Sequence, residues 1–155
     1  MRPYVKALQA RGLPAVAIDL PRSGRSVVKA EKAIPTFVAK VPAGSIAGGH
    51  SYGGRVASMA ATEGRYSALL LLSYPLHRPG HPEELRTEHW PRIMCPVLLL
   101  SGESDPFARV DLLRTAVRQL RRAELVTFPG IGHGLLPVID AAMDRVAAFV
   151  RERAG

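Results

Sequence analysis

Ser51 lies in the run Gly49-His50-Ser51-Tyr52-Gly53, directly after a short apolar segment and before a helix-like one. A serine in this G-x-S-x-G setting occupies a tight strand-to-helix turn that presents its Oγ above a sheet. The turn crowds the positions two residues before and after the serine, so we expect glycine at both because glycine has no Cβ. The chemistry that this arrangement serves is nucleophilic attack by a serine hydroxyl.

A serine nucleophile needs a base, and both an acid and a histidine follow Ser51 in the chain. Asp105 comes just after the strongest strand candidate, 96–100, and His133, flanked by glycines, comes just after the strand candidate 124–128. The order serine, acid, histidine, with each residue in a loop after a strand, predicts a triad. In it, His133 takes the serine proton while Asp105 orients the imidazole and stabilises its cation.

Two further residues are predicted to contribute to the same site, and a third is an alternative acid. The N–H of Tyr52, the residue after the nucleophile, is the expected donor to an oxyanion. Arg55, one turn into the following helix, is expected to bind an anionic group of the substrate, with a solvated or salt-bridged arginine as the alternative. Glu103 is an alternative to Asp105 as the acid, because aspartate before proline is also a common turn starter and helix cap.

The segment 74–92 has neither a helical nor a strand period and contains four prolines. We predict a loop or lid beside the pocket, in which Tyr74 and His77 contact the substrate. Zinc ligands have a close spacing that His77, His81 and His89 lack, and no cysteine accompanies them, so no metal is expected. The chain also has no glycine-rich nucleotide-binding motif after a strand, so no cofactor is expected.

Strand-like and helix-like segments alternate along the chain, which predicts an α/β fold: a parallel sheet covered by helices on both faces. About five strands are expected, of which 14–20 is the first, 45–49 leads to Ser51, and 68–73 is almost wholly leucine. The length of 155 residues, without repeats or a composition break, predicts one domain over 1–155.

The composition, with 47% hydrophobic and 22% charged residues, is ordinary for a globular protein. No apolar run approaches the roughly 20 residues of a membrane helix, so no membrane partner is expected. One cysteine and no visible secretion signal favour a cytoplasmic location.

The net charge of +8 raises the possibility of nucleic-acid binding. However, the basic residues are scattered and no binding motif accompanies them, so dedicated recognition is not expected. Their densest cluster, on one predicted helix, is Arg114, Arg118, Arg121 and Arg122.

The segments 48–59, 73–80, 85–89 and 102–107 resemble the α/β-hydrolase superfamily, and the likeness extends over essentially the whole chain. They are most similar to its dienelactone-hydrolase-like members. Among these, the closest likeness is to the hydrolase-like domain of certain testis-expressed proteins and of a chromatin-associated acetyltransferase complex subunit. The resemblance implies a serine hydrolase of the carboxylesterase, thioesterase or lactone-hydrolase kind, acting on a small acyl substrate without a cofactor.

The chain departs from this family at its front. It begins at the family's first helix, and the strand between 14–20 and 45–49, with its following loop, is absent. The resemblance therefore implies an N-terminal truncation and the loss of the loop that normally supplies a second oxyanion donor. The alternative is that the chain is a catalytically silent protein that binds a partner. As partners we expect a second copy of the chain, in a homodimer, or another protein that fills the gap in the sheet.

Overall fold

The computed structural model describes residues 1–154. No helix in this range is long and apolar enough to span a bilayer. The helices and strands, in chain order, are α1 (Arg2–Gln9), β1 (Arg22–Ser23), β2 (Ser26–Val27), α2 (Ala30–Lys40), β3 (Ile46–His50), α3 (Tyr52–Ala60), β4 (Ala68–Leu72), β5 (Val97–Gly102), α4 (Val110–Ala116), β6 (Ala123–Phe128) and α5 (Ile139–Ala154).

Strands β3 to β6 form one parallel sheet whose spatial order is the order of the sequence. β1 and β2 form a separate antiparallel hairpin. The residues of β4 and β5 are mostly leucine, and almost all of them are buried. Such apolar strands are typical of a parallel sheet that is covered on both faces. The predicted α/β architecture is confirmed.

The two faces of the sheet contact different helices, because successive side chains of a strand point to opposite sides. Leu69 and Leu71 of β4 pack in one core with residues of α2, α3 and α4. Leu72 packs in a second core with Tyr4 of α1 and Met143 of α5. These two cores hold the sheet rigid, and all four parallel strands end at the same edge.

The prediction of a buried strand over 14–20 is wrong. Residues 13–21 pair with no strand, and Val16 is 82% exposed, although Ile18 and Leu20 pack against the core. A parallel strand is stabilised by main-chain hydrogen bonds to a neighbour, and none of the described strands runs beside this segment. The parallel sheet therefore has four strands rather than about five, with β3 at one edge.

Candidate active site

Ser51 lies between β3 and α3 with backbone angles φ 53° and ψ −120°. A non-glycine residue with positive φ is strained, and such residues cluster at functional sites. The Ser51 N–H donates to the carbonyl of Leu72 at the end of β4 over 2.8 Å. The strained turn is thus attached to the neighbouring strand, and this fixes where the hydroxyl lies.

The glycines around Ser51 have unequal roles. A Cβ on Gly49 would overlap the main chain of Gly53, and one on Gly54 would lie 2.9 Å from the carbonyl oxygen of Gly49. A Cβ on Gly53 itself would meet nothing within 4 Å. The expectation that both flanking positions exclude a side chain therefore holds at Gly49 and is wrong at Gly53, because the crowding is one-sided.

Two hydrogen bonds connect the three predicted triad residues. Ser51 Oγ lies 2.7 Å from Nε2 of His133, and Nδ1 of His133 lies 2.8 Å from Oδ2 of Asp105. With Nδ1–H donating to the carboxylate, Nε2 carries a lone pair that faces the serine hydroxyl. The side chain of His133 is 28% exposed, whereas Asp105 is only 3% exposed. The arrangement has the polarity needed to move a proton from Ser51 to His133.

The carboxylate that contacts His133 is that of Asp105 and not that of Glu103. The second oxygen of Asp105, Oδ1, accepts the N–H of Phe107 over 2.8 Å, so both oxygens are engaged. Glu103 instead accepts the hydroxyl of Thr127 over 2.7 Å. The alternative acid is therefore directed away from the imidazole in this structure.

Aromatic rings that the sequence analysis did not identify hold the imidazole in place. The ring of Phe107 lies 4.5 Å from that of His133, and His50 lies 5.8 Å away on another side. His50 in turn stacks on Tyr4 at 5.3 Å, and burial, followed by the charge of His133, lowers the pKa of His50. Tyr4 OH accepts the N–H of Leu135 over 3.0 Å. In the sequence, the position of Phe107 two residues after Asp105 is a weak indication that it belongs to the site, whereas nothing in the sequence indicates Tyr4.

Tyr52 is the first residue of α3, so its N–H has no acceptor within the helix and is directed toward the space beyond it. Its phenol donates to the carbonyl of Val28 over 2.7 Å, and burial raises the pKa of this phenol. The side chain thereby connects the turn to the segment before α2. Donation of the Tyr52 N–H to an oxyanion stays a prediction, and the position of Tyr52 is compatible with it.

Tyr74 and His77 are buried and bonded to the main chain. Tyr74 OH donates to the carbonyl of Arg86, while His77 bonds through Nδ1 to the carbonyl of Arg78 and accepts the N–H of Arg109 on Nε2. All of their polar side-chain atoms are therefore used inside the protein. Both residues stabilise the loop that follows β4, and their contact with substrate stays a prediction.

Arg55 lines a cleft of about 550 Å³ together with Lys29, Ala30, Glu31 and Lys32. Its nearest guanidinium nitrogen lies 3.7 Å from the Glu31 carboxylate, which is a loose ion pair. Neither Ser51 nor His133 is among the residues that line this cleft. This contact agrees with the alternative prediction, a salt-bridged arginine. Substrate binding by Arg55 stays a prediction.

A second Ser–His pair lies on the other side of α3. Ser58 Oγ donates to the carbonyl of Arg55 over 2.7 Å and lies 2.7 Å from Nε2 of His89. Since the hydroxyl proton is already used, His89 is the donor in this contact. Burial lowers the pKa of His89 to about 4, so it is neutral near pH 7. Both side chains are buried.

The other two histidines of segment 74–92 form no common site with His89. His77 bonds to the main chain as described, and His81 lies 3.3 Å from the exposed carboxylate of Glu83. Ligand atoms of His81, Glu83 and Glu84 lie within 4.8 Å of one another, but both glutamates are exposed and Glu84 already pairs with Arg78 at 2.9 Å. We assign no role to this cluster.

The parallel sheet, the helices on both of its faces and the strained serine turn after β3 define an α/β-hydrolase fold. Comparison with known families agrees. The sequence model of the alpha/beta hydrolase domain matches residues 9–148. The chain belongs to this family.

Solved structures of the same fold superpose on most of the chain. Est1E from Butyrivibrio proteoclasticus with ferulic acid bound superposes with a TM-score of 0.79 at 17% identity, over 97% of this chain and 81% of that one. The monoacylglycerol lipase of Paleococcus ferrophilus also gives 0.79, at 15% identity, over 97% and 88%. A dienelactone hydrolase from Anabaena variabilis gives 0.53 at 22% identity, over 68% and 47%. The more specific likeness to testis-expressed proteins stays a prediction.

Proposed function

We propose that this chain is a serine hydrolase that cleaves small carboxylic esters, thioesters or lactones through Ser51, His133 and Asp105. The observation that carries the proposal is the continuous hydrogen-bond path from Ser51 Oγ through the imidazole to the buried carboxylate, with both distances below 3 Å. Similar structures described as a monoacylglycerol lipase and a dienelactone hydrolase support substrates with an acyl carbonyl.

In this mechanism Ser51 Oγ attacks the carbonyl carbon as its proton moves to Nε2 of His133. Asp105 stabilises the imidazolium, and the N–H of Tyr52 donates to the oxyanion of the tetrahedral intermediate. The imidazolium then protonates the leaving group as the carbon–oxygen or carbon–sulfur bond breaks, and an acyl-serine forms. A water molecule, deprotonated by His133, hydrolyses this ester and restores Ser51.

The buried state of Asp105 supports this assignment electrostatically. A carboxylate in a site of low dielectric interacts with an imidazolium more strongly than an exposed one does. Its hydrogen bond from the Phe107 N–H keeps it oriented toward Nδ1 of His133. The side chain of His133 itself is 28% exposed, so a substrate can approach the imidazole from solvent.

The alternative function, a hydrolase-fold protein that binds a partner without catalysis, is favoured by the edge of the sheet. The outer edge of β3 forms no main-chain hydrogen bond to any residue in the range 1–154. Unpaired edge groups are a template for another strand. A homodimer, or a partner strand beside β3, is the form that this function would take.

Hydrolysis of p-nitrophenyl acetate, p-nitrophenyl butyrate and a short acyl thioester tests the proposed activity. We expect Ser51→Ala and His133→Ala to lower kcat/KM at least about 10³-fold, because each removes a reacting group. The matched controls are Ser67→Ala and His81→Ala, which change exposed residues of the same types. Equal rates for wild type and Ser51→Ala would refute the proposal, and a stable dimer without turnover would favour the alternative.

A further inference from the structure

The cleft between the start of α2 and the first turn of α3 has the chemistry of an anion site. We propose that it binds the carboxylate of the substrate, so that the preferred substrates are mono-esters of short dicarboxylic acids. The cleft is lined by Lys29, Ala30, Glu31, Lys32 and Arg55. This inference rests on the proposed function, since it identifies the substrate class of the same site.

The cleft carries an excess of positive charge. Three cationic side chains, Lys29, Lys32 and Arg55, line it together with one carboxylate, that of Glu31. The carboxylate is 61% exposed and lies 3.7 Å from the guanidinium of Arg55, so solvent screens much of their attraction. An anion that enters the cleft therefore meets a net favourable potential.

The guanidinium of Arg55 lacks hydrogen-bond acceptors. Its side chain is only 25% exposed, and its buried Nε has no acceptor among residues 1–154. A buried donor without a partner is costly, and guanidinium groups pair with carboxylates in a two-pronged geometry. A substrate carboxylate would supply the acceptors that the described residues do not.

Two surrounding features add to the positive potential. Burial lowers the pKa of the Arg86 guanidinium, and the positive charge of Arg55 lowers it further. The cleft also includes the first residues of α2, where main-chain N–H groups carry the positive end of the helix dipole. A bound anion would reduce the repulsion between the charges of Arg55 and Arg86 and would interact favourably with the N-terminus of α2.

The main chain connects the cleft to the serine turn. The N–H of Arg55 donates to the carbonyl of Ser51 over 3.1 Å, so the two residues are one turn, about 6 Å, apart along α3. The phenol of Tyr52 extends from this turn to the carbonyl of Val28, next to the cleft. The proposal requires the linker between the ester carbonyl and the carboxylate to match the distance from Ser51 Oγ to the Arg55 guanidinium, and half-esters of different lengths test that match.

The kinetic test compares a neutral ester with charged esters of increasing length. The substrates are p-nitrophenyl butyrate and the mono-p-nitrophenyl esters of succinate, glutarate and adipate. We expect wild type to have a higher kcat/KM for at least one half-ester than for p-nitrophenyl butyrate. Arg55→Gln should lower the ratio of these two kcat/KM values about tenfold, and Lys32→Gln should lower it about two- to threefold. Arg118→Gln, which removes the same charge from an exposed site outside the cleft, leaves the ratio unchanged. A preference for the neutral ester, or an equal loss in Arg118→Gln, overturns the inference.

A binding measurement separates this inference from the proposed hydrolysis. Glutarate is titrated into Ser51→Ala protein, which needs no turnover, and the dissociation constant is measured by calorimetry at two salt concentrations. We expect Arg55→Gln to weaken binding about tenfold and added salt to weaken it as well. Ester turnover without glutarate binding overturns the inference and leaves the hydrolase proposal intact. Arg55-dependent glutarate binding without any ester turnover by wild type refutes the hydrolase, and with it the substrate class, and leaves only an anion site in the cleft.

Discussion

Gly102, the last residue of β5, packs directly against the main-chain carbonyl of Ile131, two residues before His133. A Cβ at Gly102 would overlap that carbonyl oxygen. The N–H of Ser104 also donates to the Ile131 carbonyl over 2.8 Å. The loop that carries Asp105 is therefore attached through main-chain contacts to the loop that carries the histidine.

The first prediction concerns this contact. Gly102→Ala should push the two loops apart and lower the free energy of unfolding by about 2–3 kcal/mol. It should also slow covalent labelling of Ser51 about 10²-fold, because a shift of about 1 Å has that effect on catalysis. Gly134→Ala is the control, since a Cβ there meets nothing within 4 Å. Denaturant unfolding and labelling rates check both variants, and equal behaviour of the two would contradict this account of the loops.

The second prediction separates the two glycines that flank the serine. Gly49→Ala should destabilise the protein by about 2–3 kcal/mol, because its Cβ would overlap main-chain atoms that cannot move freely. Gly53→Ala should be neutral or stabilise by about 0.5–1 kcal/mol, since alanine favours a helix interior and the space is open. Urea unfolding measures both, and a larger loss at Gly53 would be inconsistent with the one-sided crowding.

The third prediction identifies the acid. Asp105→Asn should lower esterase kcat about 10⁴-fold, because an amide cannot stabilise the imidazolium and favours the wrong tautomer of His133. Glu103→Gln should change kcat less than about threefold, since its carboxylate accepts from Thr127 instead. The rates are compared at pH 7 and pH 8, and a larger loss in Glu103→Gln would assign the role to that residue.

The fourth prediction concerns pH and stability. The folded-state pKa of His89 is about 4 and its ordinary value is 6.5, because burial disfavours the cation. The unfolded chain therefore binds the proton more readily between these values, so the stabilisation is complete above pH 6.5 and is lost as the pH falls toward 4. The loss amounts to at most about 3 kcal/mol.

Free energies of unfolding at pH 7, 6, 5 and 4.5 measure this effect. We expect His89→Gln to have a shallower pH dependence than wild type, whereas His81→Gln, a change at an exposed histidine, keeps the full slope. Carboxylates titrate in the same range in all three proteins, so the difference between slopes isolates His89. Identical slopes in wild type and His89→Gln would mean that its folded-state pKa is not lowered.

The parallel sheet was predictable because β4 and β5 are apolar on both faces, a pattern that follows from the two-sided cover of helices. The segment 14–20 has the same apolar character without a neighbouring strand, and local sequence does not reveal whether a strand has a partner. Pro35 lies inside α2, and the helix continues through it because the burial of Ala33 and Phe37 offsets one lost main-chain hydrogen bond.

The site was predictable to the extent that chain order carries it. Ser51, Asp105 and His133 each follow a strand of one parallel sheet, so they meet at the same edge. The contacts that fix their orientation, such as Tyr4 OH with the Leu135 N–H, join residues more than 100 positions apart and have no local signature. The burial of Tyr74 depends on packing against the rest of the fold, which local sequence does not reveal.

The central claim is that Ser51 is a nucleophile activated by His133. Reaction with a fluorophosphonate, followed by intact-protein mass measurement and peptide mapping, tests this claim most directly because it needs no knowledge of the substrate. We predict one adduct per chain on the peptide containing Ser51, and none in Ser51→Ala or His133→Ala protein that is verifiably folded. No adduct on folded wild-type protein, or an adduct that persists in Ser51→Ala, would contradict the account.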